Sequence, residues 1–265
     1  ARSSLRNLNE ALNEKTNDIT NSINYAKKIQ LAILASDKYI RENIKDMFIL
    51  FLPRDIVSGD FYWLFKNSKN TIYLCVADCT GHGIPGAFMS MIGNSLLNEL
   101  IIERGLTEPD AILNEMKRQI ILSLHQKGIE GEARDGMDMT ICEIDKEKQM
   151  LRFSGANNPL YIIRDEALIE IKGNPQPVGF QTNEDPPFNL HEFKLKDGDV
   201  IYMFSDGYAD QFGGPRGKKF MYKPFKRLLM EIHKTPITEQ DKILKKEFLS
   251  WQGNEPQVDD VCVLG

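Results

Sequence analysis

The 265-residue sequence predicts an α+β domain: antiparallel sheets with helices stacked outside them, preceded by one long helix. Three observations carry this reading. Short β-branched and aromatic runs come first, then a pair of amphipathic helices, then short runs again. That order is not the strand–helix alternation of a parallel sheet. Residues 2–34 contain neither Pro nor Gly, and 42% of the chain is hydrophobic, enough for a full core.

Residues 2–34 read as a single helix, about 50 Å long at ~1.5 Å per residue. Leu5, Leu12, Ile19, Ala26 and Ile33 recur every seven positions, while the companion seam Leu8, Lys15, Ser22, Ile29 has two polar members. This suits an adjustable partner helix better than a permanent zipper; the alternative is an amphipathic helix packed on its own domain. Strands are predicted over 48–52, 61–65 and 72–77. A helix then begins near Pro85 and carries Phe88, Met91, Ile92, Leu96 and Leu100 at helical spacing. The next starts at Thr107, holds Pro109 in its first turn and stops at Gly128. Strands return over 139–144, 151–154, 160–163, 168–171, 190–195, 200–204 and 261–264, with a helical stretch over 223–251 before the last. The glycine-rich segment 213–219 reads as a mobile surface loop. The expected division is a helix over 1–36 and a domain over 43–265.

Bulk properties exclude several functions. A net charge of −5 and a pI near 5.5 give no basic footprint for nucleic acid or an anionic membrane. The four cysteines, Cys75, Cys79, Cys142 and Cys262, form no CxxC pair and read as free thiols of a reducing, cytoplasmic setting. The four histidines show no zinc-ligand spacing. No apolar run approaches the ~20 residues that span a bilayer, and no signal peptide is visible. The opening residue is Ala1 and not Met, so the chain is expected to be part of a longer protein whose membrane anchor, if any, lies upstream.

Four segments share an aspartate at the end or the beginning of a hydrophobic strand: Ser58-Gly-Asp60, Val76-Ala-Asp78-Cys79-Thr-Gly-His82-Gly, Phe204-Ser-Asp206-Gly and Gln257-Val-Asp259-Asp260. One such aspartate usually makes a turn. Four abutting core strands suggest convergence. Two carboxylates ~4 Å apart at an effective dielectric of about 20 repel by roughly 4 kcal/mol, so protons or cations must relieve them. All-oxygen ligation favours Mg²⁺ or Mn²⁺, and two such ions would sharpen a bridging water for in-line phosphoester hydrolysis. The glycines of 81–86, at a strand-to-helix turn, permit close backbone approach to an ion or phosphate.

These motifs resemble the PPM-type metal-dependent serine/threonine protein phosphatases, specifically the bacterial SpoIIE-like branch. The likeness runs from about Asn43 to Gly265 through 55–63, 77–87, 154–160, 177–179, 204–207 and 259–261. It implies an αββα sandwich with two divalent cations at one end. Asp60 and Asp78 match the ligands of one ion, with Asp78 bridging; Asp206 and Asp259 match those of its partner, and Asp260 is a further candidate. Cys79 occupies a position that contributes only its backbone carbonyl. Asn157 and Asn158 replace the acid that supports a third ion in eukaryotic-type members, so a third ion is not expected. Arg54 is the nearest candidate for a phosphate-clamping arginine. His82 would donate to the leaving oxygen or, as preferred here, stabilise its turn. Asp138 is expected on the outward side of its strand, with a place in the substrate cleft as the alternative.

The resemblance implies an enzyme acting on phosphoserine or phosphothreonine of a regulatory protein, by analogy a STAS-type regulator, and working as a dimer through the N-terminal helix. The competing reading is an inactive docking module of the same fold, against which stand all four aspartates. A hydrolase of small phosphorylated metabolites is a third.

Overall fold

The computed structural model describes residues 2–129, 134–182 and 185–265, with side chains from Leu5 onward. Helix α1 spans Arg2–Ile33. Leu5, Leu12 and Ile19 remain about 60% exposed along it, and only its last turns pack on the rest of the chain, through buried Gln30 and Leu34. The apolar stripe therefore continues past the domain without a partner in this chain. A short helix α2 (Asp37–Asn43), capped by the Ser36 hydroxyl, leads into the sheets.

Strands β1 (Ile49–Leu52), β2 (Phe61–Lys66) and β3 (Thr71–Cys79) come next. Helix α3 (Gly83–Leu97) follows and runs on as a π-helical turn over Asn98–Glu103. Helix α4 (Pro109–Ser123) begins two residues after the expected start and ends before Gly128. The chain leaves the helix earlier because His125 adopts a left-handed φ of 53°. Then come β4 (Met137–Asp145), β5 (Met150–Ala156), β6 (Leu160–Arg164), β7 (Ala167–Ile171), β8 (His191–Lys194) and β9 (Val200–Phe204). A one-turn helix α5 (Gly207–Asp210) precedes the ribbon β10 (Phe212–Gly213) and β11 (Lys218–Lys219).

Two corrections arise here. The segment expected as a mobile loop is this ribbon, tied down where the Gly214 amide donates to the Trp251 carbonyl at 2.7 Å. The helical stretch over 223–251 is two helices, α6 (Tyr222–Ile232) and α7 (Ile237–Gln252). They are separated at Pro236, which has no N–H to continue a helix. Strand β12 (Val261–Leu264) closes the chain.

Among the described residues the strands form two five-stranded antiparallel sheets, ordered β1-β12-β9-β6-β7 and β2-β3-β4-β5-β8. Alternate residues explain how they stack. Leu74 and Val76 of β3 meet Leu160, Ile162, Met203 and Cys262 between the sheets. Tyr73 and Cys75 of the same strand turn outward onto Ile112, Met116 and Ile120 of α4. On the far side Tyr202, Phe204 and Val263 receive Phe225, Leu229, Leu244 and Phe248 of α6 and α7. Each fully buried Leu, Ile or Phe contributes roughly 1.5–3 kcal/mol, which holds the four layers α/β/β/α together. Because strands are covered on both faces, β3 is apolar almost throughout and shows no simple alternation.

Candidate metal centre

The sheet registers bring the motif-bearing strand ends to one edge. Phe61 pairs with Ala77, so Asp60 and Asp78 lie at neighbouring strand ends. On the other sheet the Ser205 amide donates to the Cys262 carbonyl at 2.9 Å, which sets Asp206 beside the 259–260 turn. Three backbone segments also close tightly there. A Cβ on Gly59 would lie 2.5 Å from the Gly81 carbonyl oxygen, and one on Gly86 would lie 2.3 Å from the same atom. Only glycine permits that approach.

The result is a polar pocket of about 250 Å³ lined by Asp78, Cys79, Thr80, Gly81, His82, Asp138, Asp206 and Asp259. Asp60 is buried behind it and accepts the Ser205 hydroxyl. Burial, then the charges of Asp60, Asp206, Asp259 and Asp138, push the Asp78 carboxyl up to about 11. Burial followed by Asp259 and Asp210 raises Asp206 to about 6, although it lies within hydrogen-bonding reach of Asp78. Asp60 and Asp259 are raised as well, each by burial first. The Asp206 Oδ1 atom is buried with no hydrogen-bond partner.

These features fit a hard divalent cation. The donors are oxygens, one of them unpaired, and no lysine or arginine lines the pocket to take their place. Among the described residues no three carboxylate, histidine or cysteine groups form a cage by themselves. Mg²⁺ in particular keeps several waters and takes few protein ligands, so an open carboxylate pocket suits it.

Cys79 presents only its main chain to the pocket, since its side chain packs in the core beneath α3 and α4. His82 stands at the mouth, its Nδ1 2.8 Å from Asp55 Oδ2. Three expectations are revised. Asp138 does not face outward: it pairs with Asp78 across β3 and β4, lines the pocket and accepts the Asn157 side-chain amide at 2.7 Å. Asp260 is not placed as a ligand. Its two oxygens accept the Arg54 and Gly59 amides, each at 2.7 Å, so it clamps loops together. Arg54 does not line the pocket; its guanidinium donates to the Val258 carbonyl at 3.0 Å. Ser205 and Thr80 lie inside the motifs, but nothing in their spacing marked them, and Asn157 stood out only as the replacement of an acid. Their partners come from other strands.

Comparison with known proteins places this geometry. Residues 68–265 match the family model described as Stage II sporulation protein E (SpoIIE). Phosphoserine phosphatase RsbU of Bacillus subtilis is 24% identical over 197 residues, 73% of this chain and 55% of that protein. Phosphoserine phosphatase RsbP of the same organism is 25% identical over 214 residues, 78% of this chain and 48% of that protein. The chain thus spans about half the length of these curated relatives. A solved structure, the SiaA-PP2C domain of Pseudomonas aeruginosa, is 31% identical with a TM-score of 0.85, covering 94% of this chain and 97% of that one. With the family model matching three quarters of its length and the layered sandwich matching that domain, the chain belongs to the SpoIIE family of PP2C-type (PPM) phosphatases.

Proposed function

We propose that this chain is a divalent-cation-dependent phosphatase module that hydrolyses phosphoserine or phosphothreonine on a regulatory protein. The convergence of Asp78, Asp206 and Asp259 on one pocket whose lining holds no lysine or arginine, with Asp60 buried behind, carries the reading. Asp60, Asp78, Asp206 and Asp259 would hold two ions, Mn²⁺ or Mg²⁺, with Asp78 between them and the Cys79 carbonyl as a further donor. When bound, such ions lower the pKa of water and neutralise charge on a phosphoryl group. The chain's own residues do the rest. Ser205 keeps Asp60 oriented, Asp260 fixes the two loops at the mouth, and Asp55 holds the His82 ring at the entrance. Turnover of an aryl phosphate in Mn²⁺, in Mg²⁺ and in chelator tests this. Activity with either ion and none in chelator is expected; equal activity in all three would end the proposal.

The relatives' names favour phosphoserine as the group hydrolysed, and a phosphorylated protein, a STAS-type regulator, is the partner class we propose. We assign residues 1–36 to a linker and dimerisation helix, 43–265 to the catalytic domain, and the whole to the cytoplasm, where its four buried thiols would stay reduced. The exposed stripe Leu5, Leu12, Ile19 supports a parallel homodimer. Sedimentation of the chain against L12E/I19E checks it, both positions being surface-exposed. A dimer lost in the variant is expected, and a monomer in both would refute pairing.

A further inference from the structure

A second cleft, of about 430 Å³, adjoins the acidic pocket and shares no lining residue with it. Its walls come from the 157–159 turn, the segment after β7 and the start of α6. Two of its residues tie it to the pocket. Asn157, on its wall, donates to pocket-lining Asp138. Tyr222, also in its lining, has its ring 6.3 Å from that of Phe204, two residues before Asp206, and its phenol is raised by burial and then by the charges of Asp206, Asp210, Asp78 and Asp138.

The cleft is built from costly conformations. Asn157 has φ 59° and Met221, which delivers Tyr222, has φ 73° and ψ 155°, a combination normally left to glycine. Such strain persists where the surrounding structure holds it, commonly at ligand sites. Asn158, 7% exposed, also lines the cleft, and its Nδ2 donor has no hydrogen-bond partner. A buried amide donor left unpaired in a cleft wall is what a carbonyl of a bound chain would satisfy. Pro159, Pro175 and the Tyr222 ring add apolar surface. Of the two lysines, Lys226 is committed to Glu170 at 2.8 Å and lies over the Tyr161 ring. Lys172 is exposed and has no ion pair among the described residues.

We propose that this cleft receives the stretch of phosphoprotein beside its phosphorylated residue, an extended segment carrying an apolar side chain against Tyr222 and an acidic one against Lys172. The inference rests on the phosphatase reading above and adds the sequence preference of the substrate. The acidic pocket repels anions other than the phosphoryl group its cations would hold, so Lys172 is what makes an acidic neighbour admissible.

The test uses the full chain in Mn²⁺ with three probes: an aryl phosphate and two phosphoserine dodecapeptides, one flanked on both sides by Leu and Glu, the other by Gly and Lys. The Leu/Glu peptide should be preferred about tenfold in kcat/KM. Lys172→Glu should erase that preference, and Tyr222→Ala should raise KM for the Leu/Glu peptide, while aryl phosphate turnover stays within about twofold for both. Equal use of the two peptides by the wild type, or a parallel fall on all three probes in the variants, overturns the inference and leaves the phosphatase reading standing. No turnover of any probe by the wild type overturns both.

Discussion

Strand β9 carries an aspartate just outside each end, and the two are treated in opposite ways. Asp199, before the strand, accepts two hydrogen bonds from Arg164, at 2.8 and 2.6 Å, and one from the Lys196 amide at 2.8 Å. Burial works to raise its carboxyl, but Arg164 and the amide overcome that and hold it below the ordinary range. Asp206, beyond the other end, is raised to about 6 by burial and by Asp259 and Asp210, and one of its oxygens has no partner. One end of the sandwich satisfies its charge internally. The other leaves carboxylates massed against one another, an arrangement that lowers the stability of the ion-free protein and is tolerated where a ligand relieves it.

The contrast breaks most sharply if Asp78 is neutralised. Asp78→Asn should lower aryl phosphate turnover at saturating Mn²⁺ at least about a hundredfold, because in the proposed centre this carboxylate would serve both ion positions. In chelator the same variant should melt above the wild type, since it removes repulsion from the pocket. Retention of more than about a tenth of wild-type turnover would remove Asp78 from the centre. At the opposite end the signs reverse. Arg164→Ala leaves Asp199 short of its charged donors and should lower the midpoint of a denaturant melt, with turnover per folded molecule unchanged. A neutral melt would mean that the pair adds nothing to stability.

A pH series sharpens the comparison further. Asp78 and Asp206 have folded pKa values raised above the unfolded one, so the native state binds more protons. Their contribution to stability is full below the unfolded carboxylate value and is lost as pH rises through about 6 for Asp206 and on towards about 11 for Asp78. In chelator, the melting temperature should therefore fall between pH 5 and pH 8, about where the first of these titrates. Saturating Mn²⁺ should abolish or reverse that slope, since ions replace protons and add about 2.7 kcal/mol at a hundredfold excess over Kd. Superimposable curves with and without the ion would mean that the carboxylates bind none. Asp199 titrates oppositely, protecting the fold above the unfolded value and failing only as pH falls through its depressed one. The smallest effect belongs to Asp165→Asn, in the β6–β7 turn at φ 48°, where Asn is equally at ease. Its melt should stay within about 0.5 kcal/mol of wild type.

Much of this was legible in the residues. Asp60, Asp78, Asp206 and Asp259 each abut a hydrophobic run, and a run of that kind has few ways to enter a core except as a strand. The order of runs excluded a parallel sheet, and the α1 periodicity needed no tertiary information. Harder to read were features set by pairing between distant strands. Pro236 split one expected helix into two, a local signal open to reading. Asp138 offered none, because its sense depends on standing opposite Asp78 in the register of β3 and β4.

Asp259 and Asp260 show where the division falls. The sequence by itself determined that an acidic pair precedes a buried strand at an edge rich in other acids, and with it the class of ligand that edge can take. Only the tertiary structure decided which of the two faces the pocket. Asp259 lines it, and Asp260 turns away to bind the Arg54 and Gly59 amides, more than 200 residues distant in the chain. The backbone bends at Asp259, so one carboxylate faces the pocket and the next faces the 54–59 loop, and contacts with that distant loop decide which is which.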